Sequence, residues 1–221
     1  STPSQPVEAG QTSTADANAI AIQDEYIYVA DDDAGLRVYD ISNPTSLRNV
    51  GILDTPGAAV DVAVQGNYAY VADSEAGLRV IDITNPVRPI EVGFYAPQGD
   101  AQTIAISGSY AYVGDRNAGV RVVDISNPAA PVEAGIYRTM WIAWEIAVSD
   151  SYAYVATLDI GFEVIDITDP ANYDLVINMA GLAPDAVQEL IIDAARARVE
   201  ECLPVEPRLL DSLPLPRPRP G

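Results

Sequence analysis

The sequence predicts an all-β fold: a β-propeller of four 42-residue, four-stranded blades, either a small closed ring or a partial propeller, with a C-terminal strand and helix appended. Three observations predict it. Nearly the same text occurs four times, beginning at Tyr26, Tyr68, Tyr110 and Tyr152, each copy 42 residues after the last. A fixed period of about 20–50 residues marks a solenoid, propeller or array. Within a period, short runs rich in Tyr, Val and Ile alternate with Asn, Asp, Gly and Pro, and none is long enough for a helix. Four such runs per period fit a propeller blade better than a helical repeat. Their apolar residues on both faces suit sheets sandwiched between neighbours.

Taken in order, the first element is "PVEAG" at Pro6 to Gly10, which aligns with "PVEAG" at Pro131 to Gly135, the last strand of the third copy. The chain therefore opens on the outer strand of a blade. The fourth copy, conversely, reaches "DITDP" without an outer strand of that kind. Ring closure by one terminus completing the other's blade removes open sheet edges, so Pro6 to Gly10 is expected to close the blade of Tyr152. A competing outer strand for that blade is "YDLVIN", Tyr173 to Asn178. Inside the second copy the four strands read "VAV", "YAYVA", "GLRVIDI" and "PIEVGFY", separated by "QGN", "DSEAG" and "TNP". The other copies repeat this grammar.

The strand reading "LRVID" at Leu78 to Asp82 and "VRVVD" at Val120 to Asp124 resembles the motif of the LVIVD-repeat proteins, and four in-phase copies carry the resemblance over residues 1–170. It implies a propeller, commonly on exported or cell-surface proteins, with no single shared chemistry. Extracellular or cell-surface placement is expected on that ground. Ser1 at the start, without an apolar signal region, fits a processed chain.

Beyond Pro170 the text changes. Residues 171–203 read as a strand, a turn and a helix opened by Pro184 and Asp185, with Val187, Leu190, Ile191, Ala194 and Ala195 on one apolar stripe. Residues 204–221 are proline-rich and expected to be extended or disordered. Residues 169–195 also weakly resemble the C-terminal strand and helix of cytidylate-kinase-like proteins. No GxxxxGK[ST] loop exists to hold phosphates, so kinase activity does not follow.

Composition narrows the chemistry. The net charge is −20, and every one of the 12 cations is an arginine. Such a surface repels phosphate backbones, which excludes nucleic acid as a partner. No apolar run is long enough to cross a membrane as a helix. With no histidine and one cysteine, Cys202, His-based triads and thiolate clusters cannot form.

Three candidate sets remain. Asp31 recurs with Arg37, Asp73 with Arg79, and Asp115 with Arg121, always six apart across a hairpin; in the fourth copy both change together, to Thr157 and Glu163. Joint loss points to an ion pair, since keeping either partner alone would strand a charge. The alternative is a ring of arginines lining the channel for an anion. The loop "DDDAG" offers Asp31 and Asp33 at calcium-like alternate spacing, but "DSEAG" and "DRNAG" lack that carboxylate set, so an Asx turn explains all three and no metal or other cofactor is expected. Finally, Tyr137, Met140, Trp141 and Trp144 form the most asymmetric segment, read as a loop; Trp141 replaces Gly57 and Gly99, and Trp144 replaces Val60 and Gln102. These residues either bind a partner or pack under the tail helix.

The function read from all this is a non-catalytic binding or scaffolding module presenting loops to a protein or glycan, with a homo-oligomer expected if the ring is open. The alternatives are a hydrolase using carboxylates in the channel, or a fused fragment serving only assembly.

Overall fold

The computed structural model describes residues 8–96, 99–116, 119–139, 142–157 and 161–168. Two compact units divide the chain, Ser1–Val176 and Ile177–Gly221. The second unit lies wholly outside the described residues, as do the expected tail helix, the proline-rich end and the outer-strand candidate Tyr173 to Asn178.

Every regular element among the described residues is a strand, and each sequence copy folds as one antiparallel sheet. Blade 1 is β1 (Ala19–Gln23), β2 (Tyr26–Ala30), β3 (Leu36–Asp40) and β4 (Arg48–Leu53). Blade 2 is β5 (Asp61–Gln65), β6 (Tyr68–Ala72), β7 (Leu78–Asp82) and β8 (Ile90–Tyr95). Blade 3 is β9 (Ala101–Ser107), β10 (Tyr110–Asp115), β11 (Gly119–Asp124) and β12 (Val132–Tyr137). Blade 4 shows three strands, β13 (Ala143–Ser149), β14 (Tyr152–Thr157) and β15 (Gly161–Asp166). Strands pair in sequence order, so each sheet is a meander, and the first strands β1, β5, β9 and β13 lie beside one another along the succession of blades.

Local chemistry explains the meander. At the end of each third strand, an Asp carboxylate accepts the backbone N–H two residues on: Asp40 from Ser42 (2.9 Å), Asp82 from Thr84 (2.8 Å), Asp124 from Ser126 (2.8 Å) and Asp166 from Thr168 (2.9 Å). These Asx turns swing the chain toward the outer strand and explain why "DISNP" and "DITNP" recur. A glycine in the outer strand then allows the next blade to approach. A Cβ on Gly51 or Gly93 would run into the carbonyl oxygen of Pro86 or Pro128 in the following blade.

The core is distributed between blades. Tyr28, Leu36 and Val38 of blade 1 pack on Val62, Val71 and Ile81 of blade 2. The same positions one period on, Tyr70, Leu78 and Val80, meet Ile104, Val113 and Val123. Tyr112, Val120 and Val122 likewise meet Ile146, Val155 and Ile165. Each sheet buries both faces only if it has two neighbours, which is how stacked repeats share one continuous core.

The expected ring closure is corrected here. Glu8, Ala9 and Gly10 form no strand, and Gly10 sits against the Pro44 carbonyl as Gly51 sits against that of Pro86. Among the described residues the fourth sheet has three strands and no outer strand, while Pro6 and Val7 lie outside them. Charge supplies the reason. Glu8 stands at the place of Glu91 and Glu133, which pair with Arg79 and Arg121 of their own sheets. In the fourth sheet that arginine is Glu163, so docking Pro6 to Gly10 beside β15 would oppose two carboxylates.

Candidate functional site

The six-apart charges come together in each of the first three blades. They sit where the hairpin joining the second and third strands begins and ends, with Val71 opposite Arg79 and Ala72 opposite Leu78 in the ladder. Asp31 pairs with Arg37, Asp73 with Arg79 at 3.5 Å, and Asp115 with Arg121 at 2.6 Å. The three aspartates are fully buried. In the first two blades the pair also does a second job, because the carboxylate fastens the chain entering its own blade. Asp31 accepts from the N–H of Asp16 (2.7 Å) and Ala15 (3.2 Å); Asp73 accepts from the Thr55 hydroxyl (2.6 Å) and the Gly57 N–H (2.9 Å).

The balance differs between blades. Burial works to raise the Asp31 pKa, but the N–H groups of Asp16 and Ala15, the Thr14 hydroxyl and Arg37 outweigh it and hold the carboxyl below its ordinary value. For Asp73 burial wins, and the carboxyl is pushed up despite Thr55, Gly57 and the more distant Arg79. Arg121 reaches further, to Glu133 at 2.7 Å, and the Tyr95 hydroxyl donates to the same carboxylate. Burial and Glu133 together push the Tyr95 phenol up to about 12. In blade 4 the exchange to Thr157 and Glu163 rewires the site: Thr157 donates to the Gly161 carbonyl at 3.4 Å, and the Tyr137 hydroxyl donates to Glu163 at 3.2 Å.

The calcium-like loop has a different use. Asp31 faces inward to Arg37 and the entering chain, whereas Asp33 is exposed on the turn. Backbone bonds from Ala34 to Asp31 (2.9 Å) and from Gly35 to Asp32 (3.0 Å) close that turn, with Gly35 in the left-handed region at φ 68°.

A separate site forms where the four first strands begin. A cavity of about 300 Å3 is lined by Asn18 and Ala19 of blade 1, Val60 and Asp61 of blade 2, Gln102 of blade 3, and Trp144 and Glu145 of blade 4. Asn18, Val60, Gln102 and Trp144 occupy one position of the repeat; Ala19, Asp61 and Glu145 occupy the next, with Thr103 their counterpart in blade 3. Gln102 and Trp144 are the extra residues of β-bulges, since the ladders shift register at Gly114/Asp115 and Ala143/Glu145. A bulge turns its side chain out of the pleat, a device common beside binding sites.

Hydrogen bonds tie this rim together across blades. Asn18 donates to the Ala59 carbonyl at 3.0 Å. Asp61 accepts from the Thr103 hydroxyl (3.0 Å) and the Ile104 N–H (2.8 Å), and that hydroxyl in turn accepts the Ile146 N–H at 3.3 Å. Trp144 is 59% exposed, a large ring held open beside carboxylates and amides. Partial desolvation on the rim, then the charge of Asp61, raises the Glu145 pKa above its ordinary value, although the residue is exposed.

Of the residues singled out from sequence, Arg37, Arg79 and Arg121 do not line this cavity. Trp144 does, but on strand β13, which corrects its expected place in a loop. Tyr137 ends β12 and points its hydroxyl to Glu163. Met140 and Trp141 lie outside the described residues. Sequence reasoning passed over Asn18, Asp61, Gln102 and Glu145. The signal was present: core positions repeat from copy to copy, while these two adjacent positions differ in nearly every one.

The LVIVD repeat is matched at residues 15–55, 56–96, 98–139 and 142–180, so its fourth copy extends past Pro170 across Tyr173 to Asn178. No curated protein matches the chain. Among solved structures, the chain is similar to the computationally designed Ika8 protein, at 14% identity and TM-score 0.57, covering 68% of this chain and 46% of that one. It is also similar to the computationally designed Ika4 protein, at 15% identity and TM-score 0.58, covering 71% of this chain and 94% of that one. The chain thus spans about half the length of Ika8. At these identities the likeness concerns the fold alone.

Proposed function

The chain belongs to the LVIVD-repeat family, and on that premise we propose that it is a non-catalytic binding module, exported or at the cell surface, whose axial cavity takes a glycan. The observation that carries this reading is the cavity rim. Four blades supply one position each, and there the repeat abandons its own consensus for Asn18, Val60, Gln102 and Trp144. An indole face offers the apolar side of a sugar ring a stacking surface, while amides and carboxylates meet its hydroxyls. A few polar groups around an aromatic surface is the usual composition of a small-ligand site.

A glycan array followed by titration of intrinsic fluorescence tests it. At least one glycan class is expected to bind and shift Trp144 emission, and Trp144→Ala should weaken that binding tenfold or more, about 1.4 kcal/mol. Absence of binding across the array by a folded chain would overturn the proposal and leave a protein partner on the loops as the binding reading.

One observation favours a second reading. Glu145, raised in pKa beside Asp61, resembles the acid half of the carboxylate pair that glycosidases use. Release of reducing sugar, lost in Glu145→Gln with binding retained, would replace a binding module by a hydrolase.

A further inference from the structure

Charge around the axial cavity is one-sided. The two charged residues that line it, Asp61 of blade 2 and Glu145 of blade 4, are both acids, and at the same position of the repeat blades 1 and 3 carry Ala19 and Thr103. The hairpin aspartates Asp31, Asp73 and Asp115 each meet an arginine, whereas among the described residues neither cavity acid does. Arg116, which donates to the Gln102 carbonyl oxygen at 3.3 Å, is paired with Asp100 at 3.7 Å and is not among the lining residues. Asp61 is nonetheless fixed in place: its carboxylate accepts from the Val62 N–H (2.7 Å), the Ile104 N–H (2.8 Å) and the Thr103 hydroxyl (3.0 Å). Those donors are neutral, so they orient the carboxylate without cancelling its charge. Neighbours on a regular strand face opposite ways, but the bulge in β13 brings Trp144 and Glu145 to the same cavity. An exposed indole face beside two uncompensated carboxylates is a setting for a cation.

Granting the glycan reading, on which this rests, we propose that the ligand is an amino sugar whose amine is free, its ammonium set against Asp61 and Glu145 and its ring on Trp144. An ammonium offers three N–H donors, enough to serve both carboxylates, and its charge is drawn to the indole face as well. Partial desolvation, and after it the charge of Asp61, already push the Glu145 pKa up; a cation beside both carboxylates relieves that repulsion. An N-acylated sugar keeps the ring but loses the ammonium, and with it the ion pairs and the attraction to the indole. A sugar acid would meet the two carboxylates as a like charge, so the same residues that admit an amine reject it. The net charge of −20 adds to the selection by drawing cations toward the chain.

Titration of tryptophan fluorescence in the full chain with the glucosamine disaccharide, its N-acetylated form and the neutral glucose disaccharide of the same linkage tests this. The amine form is expected to bind about tenfold tighter or more than either analogue. Most of that preference should vanish in Glu145→Gln, a change at an exposed residue, and in Asp61→Asn once circular dichroism shows that it folds. Glu25→Gln removes an equal charge from the exposed turn after the other end of β1 and should leave the preference intact. Equal binding of the three sugars, or tighter binding of either analogue, would overturn the amine assignment and leave the glycan reading standing. A preference that survives Glu145→Gln, or that falls as much in Glu25→Gln, would overturn it as well, by making it a property of the acidic surface as a whole. Failure of all three sugars to bind while another glycan of the array does would also overturn it; a blank array removes the glycan reading itself.

Discussion

Asp73 has no exposed surface and Arg79 very little, so this pair lives where an unbalanced charge is costly. Arg79 also lies 3.5 Å from Glu91 and over the Phe94 ring at 5.0 Å, which makes it the common partner of two carboxylates and an aromatic face. Replacing it with methionine keeps volume but leaves Asp73 buried and unpaired; urea unfolding should show a loss of about 3–5 kcal/mol. An exposed control such as Arg88→Met should cost well under 1 kcal/mol. The spacing of these pairs is visible in sequence because a tight hairpin turns a six-residue separation into contact. The carboxylate's second role is not visible there. The Asp16 and Gly57 N–H groups that it fastens lie some fifteen residues upstream, and only folding brings them to it.

The repeated Asx turns predict how pH acts on the strand ends. Asp40 is held down to about 2, first by the Ser42 hydroxyl, then by the Ser42 N–H and Arg48; Asp82, Asp124 and Asp166 are lowered by the same kind of turn. A carboxyl depressed in the folded state stabilises the fold above its unfolded value, near 4, and that contribution fades as pH falls toward 2. Melting temperature should therefore decline between about pH 4 and pH 2. Asp82→Asn and Asp124→Asn together should flatten that decline, and an unchanged slope would count against the turns as its source. Glycine makes a sharper prediction. The Pro128 carbonyl fills the space a side chain on Gly93 would need, so Gly93→Ala should cost about 1–3 kcal/mol in chemical denaturation. Gly66, with nothing near a Cβ, has no such clash. Strands and turns are legible from Tyr, Val, Asn and Pro, but the need for glycine at position 93 is not, because its cause lies in the next blade.

Stacked blades should not be equally stable. Blades 2 and 3 cover both faces, whereas among the described residues blade 4 leaves Tyr154, Phe162 and Val164 exposed. In an array coupled through neighbours, the unit lacking a neighbour opens first. Under conditions that keep the chain monomeric, amides of β14 should exchange roughly tenfold faster or more than those of β6. Equal protection would mean that the fourth blade is covered in solution.

The four-fold period, the strand grammar and the hairpin charges are properties of neighbouring residues, so local propensity and alternation write them directly into the chain. Closure and the axial cavity depend on residues separated by whole periods. The sequence offered Pro6 to Gly10 as a closing strand by likeness to Pro131 to Gly135; Glu8 to Gly10 form no strand, and the charges of Glu8 and Glu163 disfavour pairing there. The cavity is the clearest case. Asn18, Gln102 and Trp144 lie 42, 84 or 126 residues apart and look like scattered departures from a consensus. Stacking of the blades sets the first strands side by side, and only then do those departures become one surface.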